Sequence, residues 1–244
     1  MNTHARELNE RGYSVFEDLV GPAEVQSLKE TIEGDVAELA PLRLSVSLNV
    51  ELSGGAVITA AGLALTRLFD ARPALLERVL PARLVDAMRA FLGEAAVLEV
   101  AGAVVNDASR PFFPWHTHID GIDEGERVQA GEWPEPPEAQ RVFTVLYLQD
   151  LDEETGPLYV LPRRSADPTP PPHPMLDRTW PGMVELRPRA GTLVALDQCL
   201  WHAAASLTRP GLRTFVGCYF AALDAPRHPW ANPGLTSAPL PGGR

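Results

Sequence analysis

Apolar positions follow two different periods along the chain. Val25, Leu28, Ile32, Val36 and Leu39 recur every three or four residues, which is one face of an amphipathic helix, and Gly21-Pro22 sets a proline at its start. Leu84, Val85, Met88, Phe91 and Leu92 mark a second such helix, closed by Gly93. Gly12 to Phe16 reads as a short strand before the first helix. Residues 42–60 alternate weakly and contain Gly54-Gly55, the pattern of a hairpin. Roughly the first 95 residues are thus expected to be mainly helical.

From Val97 onward the period becomes strand-like. The candidate strands are 97–106, 115–120, 141–148, 158–161, 182–186, 192–196, 203–207 and 214–220. Short strands separated by turns predict a sandwich or barrel, and 24 prolines and 19 glycines favour turns over a helical bundle. Two stretches break the pattern: 121–140, with Trp133-Pro134-Glu135-Pro136-Pro137, and 165–181, with Pro170-Pro171-Pro172-His173-Pro174. Loops of such length are expected to be functional lids or disordered. The Pro- and Gly-rich end, 225–244, reads as a tail, and no internal repeat is present.

Composition narrows the class. A chain of 244 residues with 45% apolar and 22% charged residues fits one domain, with a helical part (1–95), a strand-rich core (96–224) and the tail. The formal charge of −11 argues against nucleic acid or an anionic membrane as partner. It also requires any anionic ligand to be met by local cations. Cys199 and Cys218 lie in apolar strand-like runs and are expected to be reduced core thiols. Met1 to Glu10 lacks the apolar stretch of a signal peptide, and no run approaches the ~18 apolar residues of a membrane span. A cytoplasmic location follows by default.

The chemistry concentrates in His116-Thr117-His118-Ile119-Asp120-Gly121. On a strand, positions i and i+2 share a face, so His118 and Asp120 can reach one ion. His202 follows a buried run and is the candidate third ligand. Two imidazoles and one carboxylate form the facial set of a mononuclear iron(II) site and leave three positions open. His116 shares the face of His118, and a His116/His118 pair would make a His-only set better suited to zinc or a cupin site. The preferred assignment keeps His118, Asp120 and His202 as metal ligands and His116 as a pocket residue. Arg213 enters the buried strand 214–220 and needs an anionic partner, for which its fork suits a carboxylate. An internal salt bridge is the alternative. Arg209, in a turn, is the less suitable cation.

In these residues the chain resembles the phytanoyl-CoA dioxygenase family of iron(II)/2-oxoglutarate oxygenases. Asn9 to Leu19 resembles the family's opening strand, and Trp115 to Asp120 its proximal ligand motif. The segment from Leu148-Gln149-Asp150 to Gly156-Pro157-Leu158-Tyr159-Val160-Leu161-Pro162 resembles its central strand-turn-strand, and Gly191 to Phe220 its closing segment. Four blocks in order make the match specific. Two departures stand out. Pro162-Arg163-Arg164-Ser165 replaces a usual Pro-Gly-Ser-His, and Ala204 stands where a small hydroxyl residue often meets the cosubstrate. Thr144 and Asn106 are candidate replacements for that contact.

The resemblance implies an α+β fold with a mainly β core: a double-stranded β-helix, or jelly roll, with N-terminal helices packed on it. It implies Fe(II), 2-oxoglutarate and O₂, with Arg213 holding the cosubstrate. It also implies oxidation of an unactivated C–H of a small-molecule substrate, by default hydroxylation, with release of succinate and CO₂. Related halogenases lack the carboxylate, so Asp120 argues against halogenation. Desaturation, epimerisation or cyclisation share the ligand set and stay open. A non-redox cupin-type metal protein built on His116, His118 and His202 is the rival of another class.

Overall fold

The computed structural model describes residues 2–38, 50–52, 55–59, 61–119, 133, 140–165, 167–236 and 240. In chain order the elements are α1 (Thr3–Arg11), β1 (Tyr13–Phe16), α2 (Pro22–Glu38), β2 (Val50–Glu51), β3 (Ala56–Thr59), β4 (Gly62–Leu65), α3 (Leu68–Ala71), α4 (Pro73–Val79) and α5 (Ala82–Leu92). They continue as β5 (Val97–Asp107), β6 (Phe113–His116), β7 (Arg141–Tyr147), β8 (Leu158–Val160), β9 (Val184–Leu186), β10 (Leu193–Asp197), β11 (His202–Ala204), β12 (Leu212–Ala221) and α6 (Pro233–Thr236). The eight-stranded sheet runs β1-β10-β7-β12-β5-β4-β3-β2, and the four-stranded sheet β6-β11-β8-β9. Every pairing is antiparallel. This is the jelly roll with helices on one face that the resemblance implied.

Strand alternation sorts the residues into layers. Ala101, Ala103, Val105, Val216, Cys218 and Phe220 turn outward from the large sheet and pack with Leu28 and Ile32 of α2 and Leu84 and Met88 of α5. On the opposite face Phe215, with Val145, Tyr147, Val194 and Leu196, turns to the small sheet and packs with Leu158 and Val160. The outer face of the small sheet carries Trp115, Trp180, Trp201 and Ala203. Both cysteines are buried, and neither forms a disulfide.

Several boundaries differ from the expected ones. α1 has only Ala5 and Leu8 buried, too few to give a readable period; Asn2 caps it by accepting from the His4 and Ala5 amides. The hairpin expected within 42–60 falls partly outside the described residues; Val50 pairs with Ile58 and Glu51 with Val57. The strand expected over 115–120 ends at His116, because the next amide to bond, that of His118, donates to the Gln198 carbonyl (2.8 Å) outside the ladder.

The loop 165–181 is not a lid. Trp180 is buried and stacks on Trp115 at 4.3 Å, and the indole N–H groups of Trp115, Trp180 and Trp201 donate to the carbonyls of Asp177, Pro174 and Thr169. Aromatic stacking and three buried donors fix the segment to the outside of the small sheet. The other expected lid, 121–140, lies outside the described residues except for Trp133, whose ring packs on Trp201 (5.6 Å), and Gln140. Within the expected tail, Leu240 is buried and its carbonyl accepts from Arg89 (2.8 Å). No described helix is long and apolar enough to cross a membrane.

Candidate metal centre

β6 and β11 pair with His202 opposite His116, and their alternation puts both imidazoles inside while Trp115 and Trp201 point out. His118 follows two residues later, held through its amide by the Gln198 carbonyl. Gln198 is itself fixed by Arg141, whose carbonyl accepts from the Gln198 amide (3.2 Å) and whose guanidinium is ion-paired to Glu99 (2.8 Å) in the core. Ligand atoms of His116, His118 and His202 all lie within 4.8 Å of one another, close enough to hold one metal ion.

Their tautomers follow from their partners. A carbonyl only accepts, so His202 Nδ1–H donates to the Leu200 carbonyl (2.9 Å) and His116 Nδ1–H to the Pro114 carbonyl (2.8 Å). In the neutral rings both Nε2 atoms are then bare. Burial, followed by the neighbouring His116 and His118, holds the His202 pKa well below its usual value and keeps that ring neutral. His118 Nε2 stands 3.1 Å from His202 Nε2, and its Nδ1 lies 3.0 Å from the Tyr219 hydroxyl. His202 Nε2 carries no proton, so at that separation either His118 Nε2–H donates to it, with Tyr219 O–H donating to His118 Nδ1, or a metal ion lies between the two nitrogens. With an ion there, His118 Nδ1–H donates to Tyr219. A neutral imidazole set whose far nitrogens are hydrogen-bonded suits a divalent transition metal.

The histidines line a cavity of about 470 Å³ between the two sheets. Arg213 lines it too. Its Nε donates to Asn106 Oδ1 (3.1 Å), and Nη1 donates to the carbonyls of Gly156 (3.0 Å) and Ala205 (2.8 Å). Gly156 has φ +82°, and a Cβ there would sit 2.7 Å from Arg213 Nη1, so only glycine lets the guanidinium reach this position. Burial lowers the Arg213 pKa, and Tyr147 opposes the shift. Among the described residues no carboxylate lies within ion-pair distance of Arg213. The internal salt bridge weighed from the sequence is therefore not found there, and the cavity face of the guanidinium is suited to an anionic ligand. Arg209 instead lies at the surface, 3.6 Å from Asp152.

Of the other candidates, Asn106 lines the cavity and orients Arg213, while its amide N–H donates to the Ala61 carbonyl (3.0 Å). Thr144 does not line the cavity. It alternates with the cavity residues Phe143 and Val145, faces the helices, and donates to the Cys218 carbonyl (3.3 Å), so it cannot meet a ligand in the cavity. Asp120 lies outside the described residues. Sequence reasoning missed Tyr219, although it shares strand parity with Arg213, and it missed His228, Pro229 and Trp230 as cavity wall.

The sequence matches no protein-family model and no curated protein. The structure, however, is similar to solved ones. The carbocyclase SnoK from nogalamycin biosynthesis, described as non-heme and alpha-ketoglutarate dependent, has a TM-score of 0.65 at 17% identity over 98% of this chain and 92% of its own. EctD from S. alaskensis, in its apoform, has 0.62 at 17% over 98% and 84%. HygX from Streptomyces hygroscopicus, with nickel, 2-oxoglutarate and hygromycin B bound, has 0.63 at 15% over 92% and 88%. At such identities the likeness is one of fold: the chain is built on the double-stranded β-helix that these proteins share.

Proposed function

We propose that this protein is an Fe(II)- and 2-oxoglutarate-dependent dioxygenase acting on a small molecule. The observation that carries the reading is the convergence of His118 and His202 Nε2, 3.1 Å apart, in a cavity that also holds Arg213. His118 and His202 would hold the iron, with Asp120 supplying the carboxylate. Arg213, oriented by Asn106, would receive the distal carboxylate of 2-oxoglutarate through a charge-assisted bond. The chemistry such a centre supplies when bound is oxidation of an unactivated C–H, coupled to conversion of 2-oxoglutarate and O₂ to succinate and CO₂. The chain's own part is positioning. The Leu200 carbonyl and Tyr219 set the imidazole planes, and Phe143 packs against the His118 ring (4.6 Å). Hydroxylation is the default outcome; desaturation, epimerisation and cyclisation depend on where the substrate sits. One domain, comprising the helices, the jelly roll and the Pro- and Gly-rich tail, would carry this activity in the cytoplasm.

The cupin-type reading keeps one observation in its favour, the His116 nitrogen beside the other two. The experiments separate the two. Anaerobic Fe(II) and 2-oxoglutarate should give the visible absorption of the chelate, and O₂ should then yield succinate. His202→Ala and Asp120→Ala should abolish both. Arg213→Ala should raise the 2-oxoglutarate requirement at least ~tenfold. Succinate formation at the wild-type level in Asp120→Ala, with loss only in His116→Ala, would transfer the site to the three histidines.

A further inference from the structure

Arg213 has fewer donors to offer a ligand than its residue type suggests. Its Nε is committed to Asn106 Oδ1 (3.1 Å), and its Nη1 to the carbonyls of Ala205 (2.8 Å), Gly156 (3.0 Å) and Thr155 (3.3 Å). Among the described residues, Nη2 alone has no hydrogen-bond partner. A two-point fork on a carboxylate needs two neighbouring nitrogens, Nε with Nη2 or Nη1 with Nη2, and one member of each pair is already taken. Arg213 can therefore satisfy one carboxylate oxygen, and the other oxygen needs a donor from elsewhere in the wall. Ala204, which also lines the cavity, brings only a methyl group.

Tyr147 is placed to supply that donor. β7 alternates, with Phe143, Val145 and Tyr147 lining the cavity while Val142 and Leu146 join the core beneath the helices. The pairing of β7 with β12 sets Tyr147 opposite Phe215, and Arg213 lies two residues along β12 on the same face. Diagonal neighbours across a strand pair reach one another when both side chains are long. The Tyr147 ring packs on Phe215 (6.1 Å) and shares the space between the sheets with Leu158 and Val160. The residue is 5% exposed, yet among the described residues its hydroxyl makes no hydrogen bond. A buried hydroxyl left in that state costs free energy until a ligand meets it. Burial raises its pKa to about 12, with the Arg213 charge opposing, so the group is a protonated donor at neutral pH.

We propose that the Tyr147 hydroxyl and Arg213 Nη2 together grip the distal carboxylate of 2-oxoglutarate, one donor to each oxygen, which makes Tyr147 a cosubstrate-binding residue. This assignment rests on the dioxygenase reading. The test titrates 2-oxoglutarate and 2-oxopentanoate, which has a methyl in place of the distal carboxylate, calorimetrically into Ni(II)-loaded wild type and Tyr147→Phe. The variant should lose about tenfold or more in affinity for 2-oxoglutarate and keep its affinity for 2-oxopentanoate within about twofold. Its thermal midpoint without ligand should be no lower than that of the wild type, because the hydroxyl makes no bond in the ligand-free protein. Unchanged 2-oxoglutarate affinity, or an equal loss for both acids, overturns the proposal. So does a lowered midpoint, which would show that the hydroxyl already serves the fold. If the wild type takes up no 2-oxoglutarate even with Ni(II), the dioxygenase reading fails, and glutarate titrated into metal-free protein judges the two donors by themselves. Weaker glutarate binding in Tyr147→Phe then upholds the shared grip, and equal or absent binding overturns it.

Discussion

Each imidazole at the centre is fixed by what its far nitrogen touches, and the partners are not equal. His116 and His202 use backbone carbonyls, which no substitution removes, whereas His118 depends on the Tyr219 hydroxyl. Tyr219→Phe should therefore weaken Fe(II) binding roughly ten- to a hundredfold without moving the thermal midpoint much, as read by competition with a chelator. Unchanged affinity would show that packing by Phe143 alone orients the ring. At this scale the sequence was uneven. His118, His202 and Arg213 could be singled out from residue type and order, Asn106 only through the family resemblance, and the cavity contains all four. Thr144 could not be placed, because β7 is buried on both faces and shows no alternation to tell inside from outside. Tyr219 was hidden by the same lack of contrast along β12, where the apolar residues on both faces read as core.

At the scale of elements, long strands were legible and short ones were not. β5 and β12 announce themselves by length, while β11 has three residues and takes its position from its partners β6 and β8. The proline-rich segment before Trp180 was unreadable for another reason: its order comes from indole rings distant in sequence, not from local propensity. Trp180 is 3% exposed, stacks on Trp115, and lies 5.6 Å from Trp201, each of which directly precedes a histidine of the centre. Trp180→Ala should destabilise the fold by about 3–5 kcal/mol in denaturant unfolding. Because the segment braces the strands from outside, metal affinity should drop in the same variant. A loss under about 1 kcal/mol would mean that the segment merely rests on the sheet.

For the molecule as a whole, one buried carboxylate, that of Asp197, gives stability a pH dependence of its own. It closes β10 at 3% exposure, and burial raises its pKa from 3.8 to about 6, with Arg163 the largest opposing influence. Below pH 3.8 the carboxyl is protonated in both folded and unfolded chains and contributes no slope. Between 3.8 and about 6 the unfolded chain releases the proton while the folded chain keeps it, so stability falls as pH rises through this window. Above it both are ionised and the loss is complete, at about 3 kcal/mol. Other carboxylates titrate over the same range, so the difference between wild type and Asp197→Asn isolates this one. Denaturant unfolding of both from pH 3.5 to 7.5 should show the variant gaining on the wild type by about that amount across the window and running parallel above it. A constant offset at every pH would mean that the side chain, although buried, is solvated or ion-paired well enough to ionise normally, with Arg163 outweighing burial.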